Sequence, residues 1–300
     1  MSIAAMIEAR KGSRLSLVRT MDAIKPIGII LGAVAMGFAL YYAVAQQHAA
    51  QLQRPNFQGR SIPTAAGIAF VMSSAIAITA GVIFTPGTRM ATEGAVYLYA
   101  IIGFGVLGFL DDYYGDRSVG GLKGHFKALL GGKVTTGAVK AIGGVALACW
   151  LAWMVDRPGA AHTIASAVVI AGSANALNLL DLRPGRSLTA FFAGILLLAA
   201  VHIPGYFDAW WTGCAGLATL SALGLFAVER NAKCMLGDTG ANSFGAALGV
   251  SFALYLPTPL LVVMAALIVA FHVWTEKHSV SKFIEAHPYL RAIDRLIGVR

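Results

Sequence analysis

Residues 106–117 read VLGFLDDYYGDR, an apolar run that ends on two adjacent aspartates, Asp111 and Asp112, with Asp116 a turn further on. A helix leaving a bilayer can end on acidic residues simply because water solvates them. The same pattern also makes a cation or phosphate site at the membrane surface, and the remainder of the chain decides which reading holds. Hydrophobic residues make up 57% of the sequence and charged residues 12%, and the mean hydropathy is +0.71. So few polar side chains cannot coat a soluble globule, and the bilayer is the solvent.

Outward from that stretch, apolar runs of about 17–25 residues, the length that crosses roughly 30 Å of hydrocarbon, fall at 26–48, 62–84, 94–110, 135–155, 162–179, 188–203, 207–228, 243–256 and 260–274. The chain is therefore expected to be an all-α polytopic integral membrane protein with about nine transmembrane helices. A basic segment precedes them at 1–25, the membrane domain occupies 26–275, and a basic amphipathic tail follows at 276–300. No internal repeat or long linker divides the membrane domain. Cys149, Cys214 and Cys234 have neither disulfide nor zinc spacing and read as packing residues.

The connections sort by charge. Alternate ones hold Arg54, Arg60, Arg117, Lys123, Lys127, Lys133, Arg183, Arg186, Arg230 and Lys233, and with them goes the tail from Lys277; the others hold only Arg89 and Arg157. The positive-inside rule places the first set in the cytoplasm of a plasma-membrane protein. The formal charge of +9 thus marks one membrane face, and no nucleic-acid partner is expected. Arg117, Lys123, Lys133 and Lys140 read as ordinary members of that face, and His48, His125, His162, His202 and His272 as packing or interfacial residues.

The unusual polar residues gather in the same connections. Asn175, Asn178 and Asp181 follow one another at i, i+3 and i+6, which turns them to roughly one face of a helix. Gly237, Asp238, Thr239 and Gly240 sit just before a later helix, where free N–H groups and a carboxylate coincide. SIPTAAG opens the second run, with Pro63 suited to a first helical turn. Carboxylates, amides, lysines and tight glycine turns on one side of a membrane suit Mg²⁺, with Mn²⁺ as the alternative, holding a diphosphate.

At these residues the chain resembles the polyprenyl-phosphate N-acetylhexosamine-1-phosphate transferases. PTAAG (63–67), LDDYYG (110–115), GHFKALLGG (124–132), NALNLLD (175–181) and NAKCMLGDTG (231–240) match the family's motifs in order. The resemblance implies transfer of a sugar 1-phosphate from a UDP-sugar to a membrane polyprenyl phosphate, in a cleft facing the cytoplasm, for cell-envelope glycan synthesis. It implies that Asp111, Asp112, Lys127 and Asp181 are catalytic, that Asp238 with Asn178 holds the metal, and that Pro63, Thr64, Gly67, Asn175, Asn178, Asn231 and Lys233 contact substrate. It also implies a homodimer.

Two departures stand out. DLRPG (181–185) keeps the first aspartate of the family's acidic repeat but has Pro184 in place of the second, with Arg183 and Arg186 beside it. The family's histidine-rich loop has no match in the tail, where only His278 and His287 occur. Phe283, Ile284, Leu290, Ile293 and Leu296 lie near helical spacing there, as in an amphipathic helix on an anionic leaflet; the alternative is a segment that replaces the missing loop. A catalytically silent paralogue and a transporter are the competing classes. The transporter reading lacks carboxylates near the middle of a span.

Overall fold

The computed structural model describes residues 52–84, 89–115, 135–201 and 213–298, with isolated positions between 31 and 39 and at 124, 131 and 132. A short antiparallel hairpin, β1 (Gln53–Pro55) and β2 (Ser61–Pro63), comes first, with Arg54 opposite Ile62. Helices α1 (Gly67–Phe84), α2 (Arg89–Tyr114), α3 (Thr136–Met154), α4 (Ala160–Leu180), α5 (Arg186–Ala200), α6 (Cys214–Glu229), α7 (Gly237–Tyr255) and α8 (Thr258–Thr275) follow. The tail forms α9 (Val280–Ala286) and α10 (Pro288–Ile297).

The all-α polytopic architecture expected from composition is present, and the described residues do not cover all nine of the expected runs. Five of these helices, α1, α2, α3, α4 and α8, are long and apolar enough to cross a membrane. The apolar helices α5 and α6 have 15 and 16 residues, and the expected run at 26–48 lies almost wholly outside the described residues. The second run also starts late. Ile62 and Pro63 are strand, and α1 begins only at Gly67. The side chain of Asn56 accepts the N–H groups of Gln58 and Arg60 at 2.9 and 3.0 Å and closes the hairpin. The Pro63 carbonyl then accepts from the Met235 N–H at 2.9 Å, so this proline serves a strand and not a first helical turn.

Helix α7 is the axis of the bundle. Every residue from Thr239 to Leu254 is buried, and α7 packs against α2 and α4 and more lightly against α1 and α5. Its small residues, Gly240, Ala241, Gly245, Ala246 and Gly249, let the neighbouring helices come close on every side. Phe244 on α7 stacks on Phe70 of α1 at 3.9 Å and meets Phe191 of α5 at 5.3 Å. By contrast α8 buries Leu261 and turns Val262, Val263, Leu267, Val269 and Val273 outward, as the outer wall of a membrane bundle does.

Among the described residues, Cys214, Cys234 and His162 are packed inside the bundle, as expected, whereas His48, His125 and His202 lie outside the described residues. Cys214 and Cys234 are buried and Cys149 is exposed, all three free. His162 lies within hydrogen-bond distance of Ala253 O (2.9 Å) and Thr258 Oγ1 (3.0 Å). A carbonyl can only accept, so Nε2 carries the proton and Nδ1 accepts from the hydroxyl.

Near the start of α7 the helices touch through glycine. A Cβ on Gly67 would lie 2.0 Å from the Cα of Gly240, in the backbone of α7 itself. We expect Gly67→Ala to cost about 1–3 kcal/mol, read as a lower Tm in detergent; an unchanged Tm would show that α1 and α7 are free to separate there.

Candidate functional site

The end of α2 meets the start of α7, and the two adjacent aspartates divide the work. The first N–H groups of a helix have no partner within it, and α7 lacks a side-chain cap of its own. Asp112 supplies one from the end of α2. Its carboxylate accepts from Asp238 N at 3.0 Å, Thr239 N at 2.9 Å and the Thr239 hydroxyl at 2.6 Å. Its own carbonyl accepts from Arg54 Nη2 at 3.3 Å, which ties in β1.

Asp111 turns to a different partner. The Lys140 ammonium on α3 lies 2.8 Å from Asp111 Oδ2 and also bonds Asp238 Oδ2. Asn178, near the end of α4, donates to that same Asp238 oxygen at 3.4 Å. All three of Lys140, Asp111 and Asp238 keep between a fifth and a quarter of their side-chain surface open, so the cluster is reachable from outside. The Ala66 and Gly67 N–H groups donate to the Met235 and Leu236 carbonyls at 3.0 and 3.1 Å, which fixes the loop leading into Asp238.

Asp181 caps α4 and joins the same group of acids. Burial, then the charges of Glu229, Asp238 and Asp112, hold its carboxyl well above the usual range, while a hydrogen bond from the Gly237 N–H pulls the other way. Among the described residues no three His, Cys, Asp or Glu side chains form a ready-made metal cage.

The motif residues expected in the site thus fall into several groups. Asp111, Asp112, Asn178, Asp181 and Asp238 converge. Pro63, Thr64 and Gly67 frame the loop before α7: Thr64 is buried and donates its N–H to the Leu52 carbonyl at 2.8 Å. Asn175 is exposed one turn before Asn178. Asn231 and Lys233 are exposed on the 230–235 turn, where the Asn231 amide donates to Ala227 O at 2.6 Å. Lys127 lies outside the described residues.

Sequence reasoning passed over Lys140, Glu229 and Arg186. Lys140 was absorbed into the basic face, although a lysine one turn inside an apolar run is itself a signal of function. Glu229 is buried and accepts the Gly185 N–H at 2.7 Å. Arg186 donates Nε and Nη2 to the two oxygens of Asp294 in α10, at 2.6 and 2.9 Å, and Nη1 to Ser281 at 2.8 Å. Arg183 lies 4.9 Å over the Phe57 ring and 3.9 Å from Glu285. The positive charge gained in DLRPGR is therefore taken up by the tail.

Two outcomes follow. Asp112→Ala leaves the first N–H groups of α7 without their acceptor and should lower stability by about 2 kcal/mol, whereas Asp111→Ala should cost less than half of that; equal losses would remove the distinction. Asp181 has its carboxyl raised in the fold, so ionising it costs more folded than unfolded, and that cost grows as pH rises above the ordinary carboxylate value of about 3.9. Asp181→Asn should therefore raise Tm at pH 8 and raise it less at pH 4.5. A gain independent of pH would mean that charge is not its cause.

No protein-family model matches the chain. Curated relatives do. The phospho-N-acetylmuramoyl-pentapeptide-transferase of Heliobacterium modesticaldum is 28% identical over 222 residues, 69% of this chain and 65% of its own length. That of Bacillus velezensis is 28% identical over 271 residues, 79% of this chain and 78% of its own length. The Desulforamulus reducens protein of the same name is 27% identical over 262 residues, 81% and 75% of the two lengths. The chain thus spans just under two thirds of the Heliobacterium protein and about three quarters of the other two.

Proposed function

We infer that this chain, a divergent member of the polyprenyl-phosphate N-acetylhexosamine-1-phosphate transferase superfamily, moves an N-acetylhexosamine 1-phosphate from a UDP-sugar to a polyprenyl phosphate. The products are a polyprenyl-diphospho-sugar and UMP, and the site faces the cytoplasm. The observation that carries this reading is the Lys140 ammonium held between Asp111 and Asp238, with part of each side chain still open.

In the reaction, an oxygen of the carrier phosphate attacks the sugar-bearing phosphorus of the donor. The new P–O bond forms as the bond to the UMP oxygen breaks, and UMP leaves with that electron pair. A phosphate monoester has its second pKa near about 6, so the nucleophile needs little help from a base. Asp112 is committed to capping α7, which leaves Asp111 to orient the attacking group through Lys140. Lys140 neutralises phosphoryl oxygens as the substrates displace its carboxylate partners.

The residues fit a magnesium ion. Asp111 and Asp238 share the Lys140 ammonium, and the Asn178 amide reaches the same Asp238 oxygen, so hard oxygen donors converge on one open spot. Mg²⁺ commonly takes one or two carboxylates and completes its shell with substrate phosphates, so a preformed cage is not required. Asp238 and Asn178 would hold it, and when bound it would neutralise the diphosphate of the donor.

The test is UMP release by purified protein given undecaprenyl phosphate, Mg²⁺ and a panel of UDP-N-acetylhexosamines. We expect metal-dependent UMP with one donor, reduced about 10²–10³-fold in Asp111→Asn, Asp238→Asn and Lys140→Met. Folded protein that binds the lipid but releases no UMP from any of the donors would identify a catalytically silent paralogue instead.

A further inference from the structure

The helical tail carries an apolar stripe that the bundle does not use. On α10, Tyr289, Ile293 and Leu296 follow at i, i+4 and i+7, one stripe of a helix, and are 87%, 54% and 77% exposed. The face that the bundle does take is a different one: Asp294 is 7% exposed and grips Arg186 through both oxygens. Gly185 and Gly298 tighten the same contact, since a Cβ on Gly185 would lie 2.6 Å from Ile297 and one on Gly298 2.4 Å from the Pro184 carbonyl. The orientation of α10 is thus fixed from one side, and the stripe is left pointing away from the protein.

Its surroundings say what covers it. The preceding long helix, α8, is apolar enough to cross a membrane and turns its valines and leucine outward. Trp274 and His278 stack at 5.2 Å, Trp274 meets Phe283 at 5.0 Å, and Phe283 meets His287 at 4.2 Å, so α9 is joined by rings to the last turn of α8. Aromatic groups of this kind settle at the headgroup level, and α10 starts there. Lys277, Lys282, Arg291 and Arg295 are cationic, against Glu276 and Glu285, of which Glu285 lies toward Arg183. Three side chains are too small a patch for a stable protein interface, which needs roughly 800 Å² from each partner.

We propose that α10 lies in the headgroup region of the leaflet on the side of the candidate site, with Tyr289, Ile293 and Leu296 sunk among the acyl chains of anionic lipids. The Arg186–Asp294 pair holds that lipid-contacting surface against the turn that carries Asp181. A helix of this type sinks its apolar face about 5–10 Å below the headgroups, and its basic residues favour anionic lipid.

The experiment reads position and not catalysis, so its result is independent of the transferase reading. In nanodiscs of phosphatidylcholine with phosphatidylglycerol, single spin labels are placed at 289, 291, 293, 295 and 296 in a chain with Cys149, Cys214 and Cys234 replaced by Ala. Collisions with oxygen should exceed those with a water-soluble nickel chelate severalfold at 289, 293 and 296, and the order should invert at 291 and 295. Equal access to the nickel chelate at all five positions would overturn the proposal, as would shielding of 289, 293 and 296 from both reagents, the mark of a protein partner. In the unmodified chain, amide exchange across 288–297 should slow when phosphatidylglycerol replaces part of the phosphatidylcholine. Exchange indifferent to the lipid would also overturn it.

Discussion

The three hydrogen bonds accepted by the Asp112 carboxylate join the end of one helix to the beginning of another 126 residues away, and the placement of the remaining site groups depends on that junction. A helix that starts inside a bundle must find acceptors for its first N–H groups or carry them unsatisfied. An aspartate in its first turn would ordinarily serve. Because Asp112 does this from outside, the Asp238 carboxylate has no capping duty and can face Lys140 and Asn178. One carboxylate is spent on structure so that its counterpart on α7 is available for chemistry. The two adjacent aspartates are therefore not equivalent copies of one acid.

A second junction governs the opposite wall of the acidic cluster. Asp181, Arg183, Gly185 and Arg186 lie on one short turn, and each is held by a different element: the start of α7, the tail helix α9, Glu229 of α6 and α10. A buried ion pair is weak evidence for stability, but a bidentate one fixes orientation. With Asp294 on its Nε and Nη2 edge and Ser281 on Nη1, Arg186 is turned to the tail and away from the acids. The basic side chains of this turn are thus engaged by the tail.

The architecture was largely legible because apolar length is a strong signal. The runs at 94–110, 135–155 and 162–179 coincide with α2, α3 and α4. The run placed at 243–256 missed the first turn of α7, because GDTGAN is polar and glycine-rich and becomes helical through an acceptor on another helix. The hairpin at 53–63 was equally hidden, since the 235–236 backbone stabilises it. The site was legible where chemistry is written into adjacent letters: the paired aspartates, the asparagine series and the aspartate that opens α7. Lys140 was not, because nothing local separates a lysine that bridges two carboxylates from one that marks a membrane face. Likewise the spacing of Asp294 in the tail gives no hint of an arginine 108 residues earlier.

The burial of α7 bears finally on how the chain is assembled in a bilayer. This helix carries Asp238, Asn242, Ser243 and Ser251 together with Gly237, Gly240, Gly245 and Gly249, and among the described residues it is not one of the five helices apolar enough to cross on their own. Lipid offers its polar groups nothing, whereas α2 offers Ser243 the Ile101 carbonyl and offers Ser251 the Tyr97 hydroxyl. Its environment is made by helices synthesised before it. During biogenesis α7 must consequently be received by a partly built bundle, and the helix bearing Asp238 acquires its place only after the walls around it exist.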